Sequence, residues 1–151
     1  MDCTDYSKNK LYVGCGLTLA SEAFKEEVEQ TKWHLGTYGW EVMEFLGLTA
    51  GSAADVYQTD IVENVGGCDA FIAIVDEPSI GLGWELAVAA NAEKPILATA
   101  HVDSKVSRMV LGAAECLPNM TFVRYEDMIA DVPELAWNIL MRGQQNFTLP
   151  K

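Results

Sequence analysis

Six consecutive apolar residues, AFIAIV at Ala70–Val75, constrain the architecture of this chain more than any other stretch. A strand that is apolar toward both faces must be covered on both sides, which happens where a parallel sheet lies between two layers of helices. The flanking sequence alternates in the same way. KLYVGCG, Lys10–Gly16, reads as a first buried strand, and Ser21–Thr37 as an amphipathic helix with Phe24, Val28, Thr31 and Leu35 on one face. A second strand is expected over Glu41–Phe45, a loop over GLTAGSA, and a helix over Ala54–Val65 that stops at Gly66-Gly67. After AFIAIV come the loop DEPSIGLG and the helix WELAVAANA. A strand in KPILATA, a helix over Ser104–Ala114, a strand in TFVRY and a helix over Val132–Arg142 complete the pattern. The alternation predicts an α/β fold: a doubly wound five-stranded parallel sheet, Rossmann- or flavodoxin-like, in three αβα layers with right-handed crossovers.

The 151 residues amount to a single domain, 1–151, with its core expected over about residues 10–142. A net charge of −12, with ten basic residues spread thinly, excludes the basic patch that nucleic-acid binding needs. No apolar run approaches the roughly 18 residues of a membrane span. The opening MDCTDYSKNK carries acids and no apolar core, so no signal peptide and a cytoplasmic location are expected. Cys3, Cys15, Cys68 and Cys116 are scattered without a CxxC pair, so neither a metal nor a cofactor is expected, and Cys15 and Cys68 read as core fillers. Asn119-Met-Thr and Asn146-Phe-Thr match the glycosylation pattern by chance in such a chain.

Ligands of doubly wound sheets sit beyond the carboxyl ends of the strands, near the point where the strand order reverses. That rule singles out three loops: Gly14–Ala20, which Gly14 and Gly16 open, Asp76–Gly83, and Ala100–Lys105. Gly81 and Gly83 leave the backbone bare and Ser79 adds a hydroxyl, so this second loop can cradle a phosphate or sugar hydroxyls. It lacks the Gly-Lys-Ser/Thr ending of a P-loop, and GCGLTLA lacks the third glycine of a dinucleotide fingerprint. Glu85 follows, expected in the first turn of a helix that is apolar nearly all round and therefore buried. A carboxylate in that position is either paired or functional. Cleavage of a glycosidic bond would require a second carboxylate. Asp55, Asp60, Glu63, Asp69 and Asp76 are the candidates; Asp69 lies at the wrong end of its strand, Asp76 at the right end can cap a turn, and pattern alone does not choose.

The run CDAFIAIVDEPSIGLGWELAVAANAEKPILA resembles the core of the nucleoside 2-deoxyribosyltransferase family. Within it PSIGLGWEL, with the later SRMVLGA and the Tyr12 of LYVGCG, is most similar to the branch of 2′-deoxynucleoside 5′-phosphate N-hydrolases, and the resemblance runs from about Leu11 to Tyr125. It implies cleavage of the N-glycosidic bond of a (deoxy)nucleoside 5′-monophosphate, with Glu85 as the nucleophile that bonds to the anomeric carbon. Asp60 matches the second acid, which helps protonate the leaving base, provided one extra residue is accommodated before Asp69, expected in the Gly66-Gly67 turn. Tyr12 matches a tyrosine that supports the nucleophile or the sugar. Ser79, Gly81 and Ser107 match positions that hold the 5′-phosphate, Ser107 from across the interface of a homodimer. The branch's first-loop serine and arginine are replaced here by Gly16 and Thr18, which leaves Lys105 and Arg108 as the nearby cations for a phosphate. Base exchange between deoxynucleosides is the alternative activity, and a nucleotide-binding module without turnover is the alternative of another class.

Overall fold

A computed structural model describes residues 9–45 and 50–141. Cys3, Gly47–Thr49 of the expected loop, Arg142 and the tail with Asn146 lie outside them. Five parallel strands form one sheet: β1 (Lys10–Cys15), β2 (Glu41–Met43), β3 (Ala70–Ile74), β4 (Ile96–His101) and β5 (Met120–Tyr125). Their order is β2-β1-β3-β4-β5. This is the flavodoxin-like order, with its switch point between β1 and β3. β3 lies at the centre and is buried along its whole length.

Alternate residues of each strand feed opposite layers. Leu11 and Val13 of β1 and Ile72 and Ile74 of β3 pack against helices α1 (Glu22–Thr37) and α5 (Met128–Ala136) through Val28, Leu35, Met128 and Val132. Tyr12 and Phe71 face the other way, toward α3 (Ile80–Asn91), whose Leu82, Leu86 and Ala89 close that side. Each fully buried Leu, Ile, Val or Phe contributes about 1.5–3 kcal/mol relative to exposure, so these two clusters hold the sheet.

Several element ends differ from those expected, and side chains account for most of them. β2 stops at Met43 rather than Phe45, because Asn64 takes the Glu44 carbonyl at 2.9 Å and Lys32 takes its carboxylate at 3.2 Å. The expected helix over 54–65 begins as α2 (Ala53–Tyr57), capped reciprocally by Ser52 and Asp55. It then continues without interruption into a wider π-helical stretch over Gln58–Val65. Such winding closes each hydrogen bond over one more residue than an α-helix and is frequent at functional sites. Gly66 and Gly67, expected to stop this helix, are themselves still helical.

α3 begins at Ile80, not Trp84, since Ser79 caps it by accepting from the Leu82 amide at 3.2 Å. α4 (Arg108–Cys116) begins after Ser107 rather than at Ser104, whose hydroxyl is engaged by Asp76. α5 begins at Met128, capped by Asp127, and carries Pro133 inside it. A second π-helical turn over Trp137–Met141 follows it. No helix among the described residues is long and apolar enough to cross a membrane.

Candidate active site

At the switch point the carboxyl ends of β1 and β3 separate, and three side chains from distant parts of the chain meet. Tyr12 comes from β1, Glu85 from α3 and Asp60 from the π-helical stretch. With α3 starting at Ile80, Glu85 stands in the second turn. The stabilisation of an anion by the helix dipole fades beyond the first turn, so the dipole does not hold this carboxylate charged. α3 is also not buried all round: Leu82, Glu85, Leu86 and Ala89 face inward, while Ile80 and Trp84 are 92 % and 57 % exposed. The sheet covers only one side of an apolar helix.

Glu85 is 9 % exposed. Its Oε1 accepts a hydrogen bond from the Tyr12 hydroxyl at 3.0 Å. Burial pushes its pKa up to about 7; the Tyr12 bond pulls the other way, and the charge of Asp60 raises it further. The Tyr12 phenol itself is raised, by burial first and then by Glu85 and Asp60. It stays protonated, so the hydrogen bond runs from Tyr12 to Glu85. Its ring stacks on Phe71 at 5.4 Å, which fixes the direction of the hydroxyl. Among the described residues no cation pairs with Glu85.

Two glycines permit this closeness. A Cβ on Gly14 would lie 2.6 Å from Oε2 of Glu85 and 3.0 Å from the Phe71 ring. On Gly16 it would meet the Glu77 carbonyl at 3.0 Å and Ser79 Cβ at 3.1 Å. Gly14 therefore seats the carboxylate against the bare strand, and Gly16 lets the first loop cross the loop after β3.

Asp60 and Glu85 line the same cavity, of about 250 Å³, with Tyr12, Phe45, Ser79 and Gly81 around it. That is a little below the roughly 300–1,000 Å³ of drug-sized ligand pockets and fits a pentose-sized group. Asp60 is as buried as Glu85. In this shielded hollow the charge of Asp60 disfavours the ionised form of Glu85. Phe45 forms one wall, and Lys32 stands 3.8 Å above its ring while paired to Glu29 and Glu44. Burial pushes the Cys15 thiol, also on the wall, up to about 11, so it remains a thiol.

The other expected site residues lie close by, with different duties. Ser79 caps α3 and lines the cavity. Gly81 is the second residue of α3 and lines the cavity too, whereas Gly83 donates its amide to the Ser79 carbonyl and lines a neighbouring groove instead. Ser107 caps α4 and faces that same groove. Asp69 stays at the amino end, accepting from the Lys10 amide. Asp76 is engaged by its neighbours: it accepts from the His101 amide at 2.8 Å, the Tyr125 hydroxyl at 2.9 Å and the Ser104 hydroxyl. Arg124 fastens the same loop by donating to the carbonyls of His101, Val102 and Ser104. Sequence reasoning missed this clamp, because its members are adjacent only through the parallel pairing of β4 with β5. Among the described residues no group of three or more His, Cys, Asp or Glu could hold a metal.

No family model matches the chain. Over 62 residues it is 42 % identical to a protein of Syntrophotalea carbinolica provisionally named 2′-deoxynucleoside 5′-phosphate N-hydrolase 1. That match takes in 40 % of this chain and 41 % of the relative, so the chain spans about two-fifths of the length of the curated relative it matches. The resemblance to this branch is therefore met by a curated relative over the stretch they share. In structure, the chain superposes on the CMP N-glycosidase BcmB of Clostridium botulinum with a TM-score of 0.63 and 19 % identity, covering 83 % of this chain and 97 % of that one. A conserved protein of Enterococcus faecalis V583 gives 0.54 at 18 % identity over 89 % and 99 %. Lysine decarboxylase LdcF of Francisella novicida gives 0.52 at 12 %, over 89 % of this chain and 17 % of that one. These likenesses concern the fold, an α/β sheet sandwich.

Proposed function

We propose that the protein hydrolyses the N-glycosidic bond of a (deoxy)nucleoside 5′-monophosphate, releasing the free base and a sugar 5-phosphate. The reading is carried by one observation: the buried carboxylate of Glu85, held by Tyr12 and unpaired with any cation among the described residues, shares a pentose-sized hollow with Asp60. The names of the Syntrophotalea relative and of the Clostridium glycosidase point to the same chemistry.

In this mechanism the Glu85 carboxylate attacks C1′ of the sugar on the face opposite the base. The C1′–N bond breaks, its electron pair leaves with the base, and the proton that neutralises the base comes from the Asp60 carboxyl. Water then opens the glycosyl ester, giving its proton to the Asp60 carboxylate, so that the starting state returns. Positive charge builds on the sugar ring in both steps, and two nearby carboxylates in a shielded site stabilise it. Tyr12 keeps Glu85 both oriented and more acidic than burial alone would leave it.

The chain works as a homodimer in this reading, with Ser107 reaching the partner's site. Ile80 and Trp84 form an exposed apolar stripe on α3, and α4 has no fully buried residue although its sequence, RMVLGAAEC, is mostly apolar. Faces of that kind ordinarily mark protein contacts.

The test is a panel of nucleosides and 5′-monophosphates with released base measured by chromatography, run with and without a foreign free base. Free base alone supports hydrolysis. A new nucleoside in the presence of foreign base would replace hydrolysis by transfer, and binding without release from any member would leave only a nucleotide-binding module.

A further inference from the structure

Beside the pocket runs a larger groove, of about 690 Å³, between the amino ends of α3 and α4. Ser79 and Leu82 line both hollows, so the groove adjoins the sugar-sized pocket. Its walls are largely apolar, with Val75, Leu86, Val106 and Val110 among them, and its charged lining residues are Lys105, Arg108 and Glu77.

The two cations stand out against the way the chain uses its others. Lys25 is paired with Glu22, and Lys32 with Glu29 and Glu44. Lys94 donates to the carbonyls of Gly66 and Cys68, and Arg124 to three carbonyls of the loop after β4. Among the described residues this leaves only Lys10, Lys105 and Arg108 with no ion pair or side-chain hydrogen bond, and two of the three flank one groove. In a chain of net charge −12 an anion is repelled everywhere except where uncompensated cations are gathered.

We infer that Lys105 and Arg108 hold the phosphate of the substrate, as the charged grip that the first loop, with Gly16 and Thr18, does not supply. This rests on the reading of the pocket as an N-glycosidase site. The sugar lies against Glu85 and its 5′-phosphate projects past Ser79 into the groove. The hydroxyls of Ser79 and Ser107 accept from the amides of Leu82 and Met109 as helix caps, and each keeps its own proton to donate to a phosphate oxygen. In a two-fold dimer built on α3 and α4 the same pair can serve the facing pocket, and the variants below remove it from both copies.

The experiment compares Lys105→Ala, Arg108→Ala and the double variant with Lys10→Ala, which removes the same charge at the far end of β1. With a 5′-monophosphate the groove variants are expected to raise KM about tenfold each, the worth of one charge-assisted hydrogen bond, with kcat unchanged. With the matching unphosphorylated nucleoside they change nothing, and Lys10→Ala changes neither. Lys105→Arg recovers most of the loss. Unchanged KM for the monophosphate, or an equal effect of Lys10→Ala, would overturn the assignment. Should no substrate release base, calorimetry with 2-deoxyribose 5-phosphate decides independently. Binding that the double variant abolishes sustains the site, and binding it leaves intact, or none by the unaltered protein, ends it.

Discussion

Tyr12 and Glu85, 73 positions apart in sequence, are joined by a 3.0 Å hydrogen bond in the interior, with the phenol donating to a carboxylate that has no countercharge among the described residues. The bond ties the end of β1 to the second turn of α3 across the switch point. It keeps a buried acid aimed at the hollow it lines. Removing either partner therefore separates chemistry from folding.

Glu85→Gln preserves shape and volume and accepts the Tyr12 bond through its amide oxygen, but cannot form the ester. Base release is expected to fall at least about a thousandfold while ligand affinity and the far-ultraviolet circular dichroism remain. Retention of most activity would dismiss Glu85 as the nucleophile.

Burial sets a pH dependence of stability with a definite sign. The ordinary glutamate value of 4.5 rises to about 7 in the folded protein, so between these values the folded state binds the proton more tightly than the unfolded one. Glu85 then costs nothing below about pH 4.5 and destabilises increasingly as pH rises to 7, by on the order of 3 kcal/mol at the plateau. Melting of the unaltered protein and Glu85→Gln should coincide at low pH, apart from a constant offset, and the variant should gain progressively up to pH 7. A difference that does not vary with pH would show that the carboxylate is not strained by burial.

Catalysis runs in the opposite direction. The nucleophile must be ionised, so kcat/KM is expected to fall as pH drops through about 7. Tyr12→Phe removes the interaction that favours the ionised form, so the acid limb should move upward, with about 1 kcal/mol lost from stability. An acid limb left in place by Tyr12→Phe would assign that titration to another group.

Gly14→Ala tests the seat of the carboxylate. The new methyl would lie 2.6 Å from Oε2 of Glu85, 3.0 Å from Phe71 and 3.1 Å from Leu82. Overpacking of this kind costs about 1–3 kcal/mol. A loss of activity out of proportion to the loss in melting temperature is expected, because relaxation moves Glu85 first. Calorimetry and base release measured on the same preparation decide it.

Asp60→Asn is expected to slow reaction less than Glu85→Gln, and most with bases that leave poorly. A loss independent of the base would count against Asp60 as the proton donor and in favour of a purely electrostatic role.

The sheet and its layers were legible because they depend on local apolar periodicity. AFIAIV had to be central, and β1, α1, β4 and β5 follow from similar runs at nearly the expected bounds. Glu85 was legible for a related reason: a charge behind two glycines in an apolar helix needs explanation by itself. Element ends were less accessible, since Ser79 rather than Trp84 starts α3 through a hydroxyl and an amide three residues apart, and the hydroxyl of Ser104, where the next helix was expected to begin, is taken by Asp76 while Ser107 caps α4.

What the chain order alone determined was an apolar pattern of period two and three to four, and with it a parallel sheet between helices. Only the tertiary structure decided which carboxylates share a cavity, that Asp76 serves the loop after β4 while Asp60 turns inward on a widened helix, and that Gly14 lies under Glu85. The reason is physical. Burial and hydrogen-bonded runs are set by neighbours a few positions away, whereas acidity and reactivity depend on groups that crossover connections bring together from 25 to 73 residues apart.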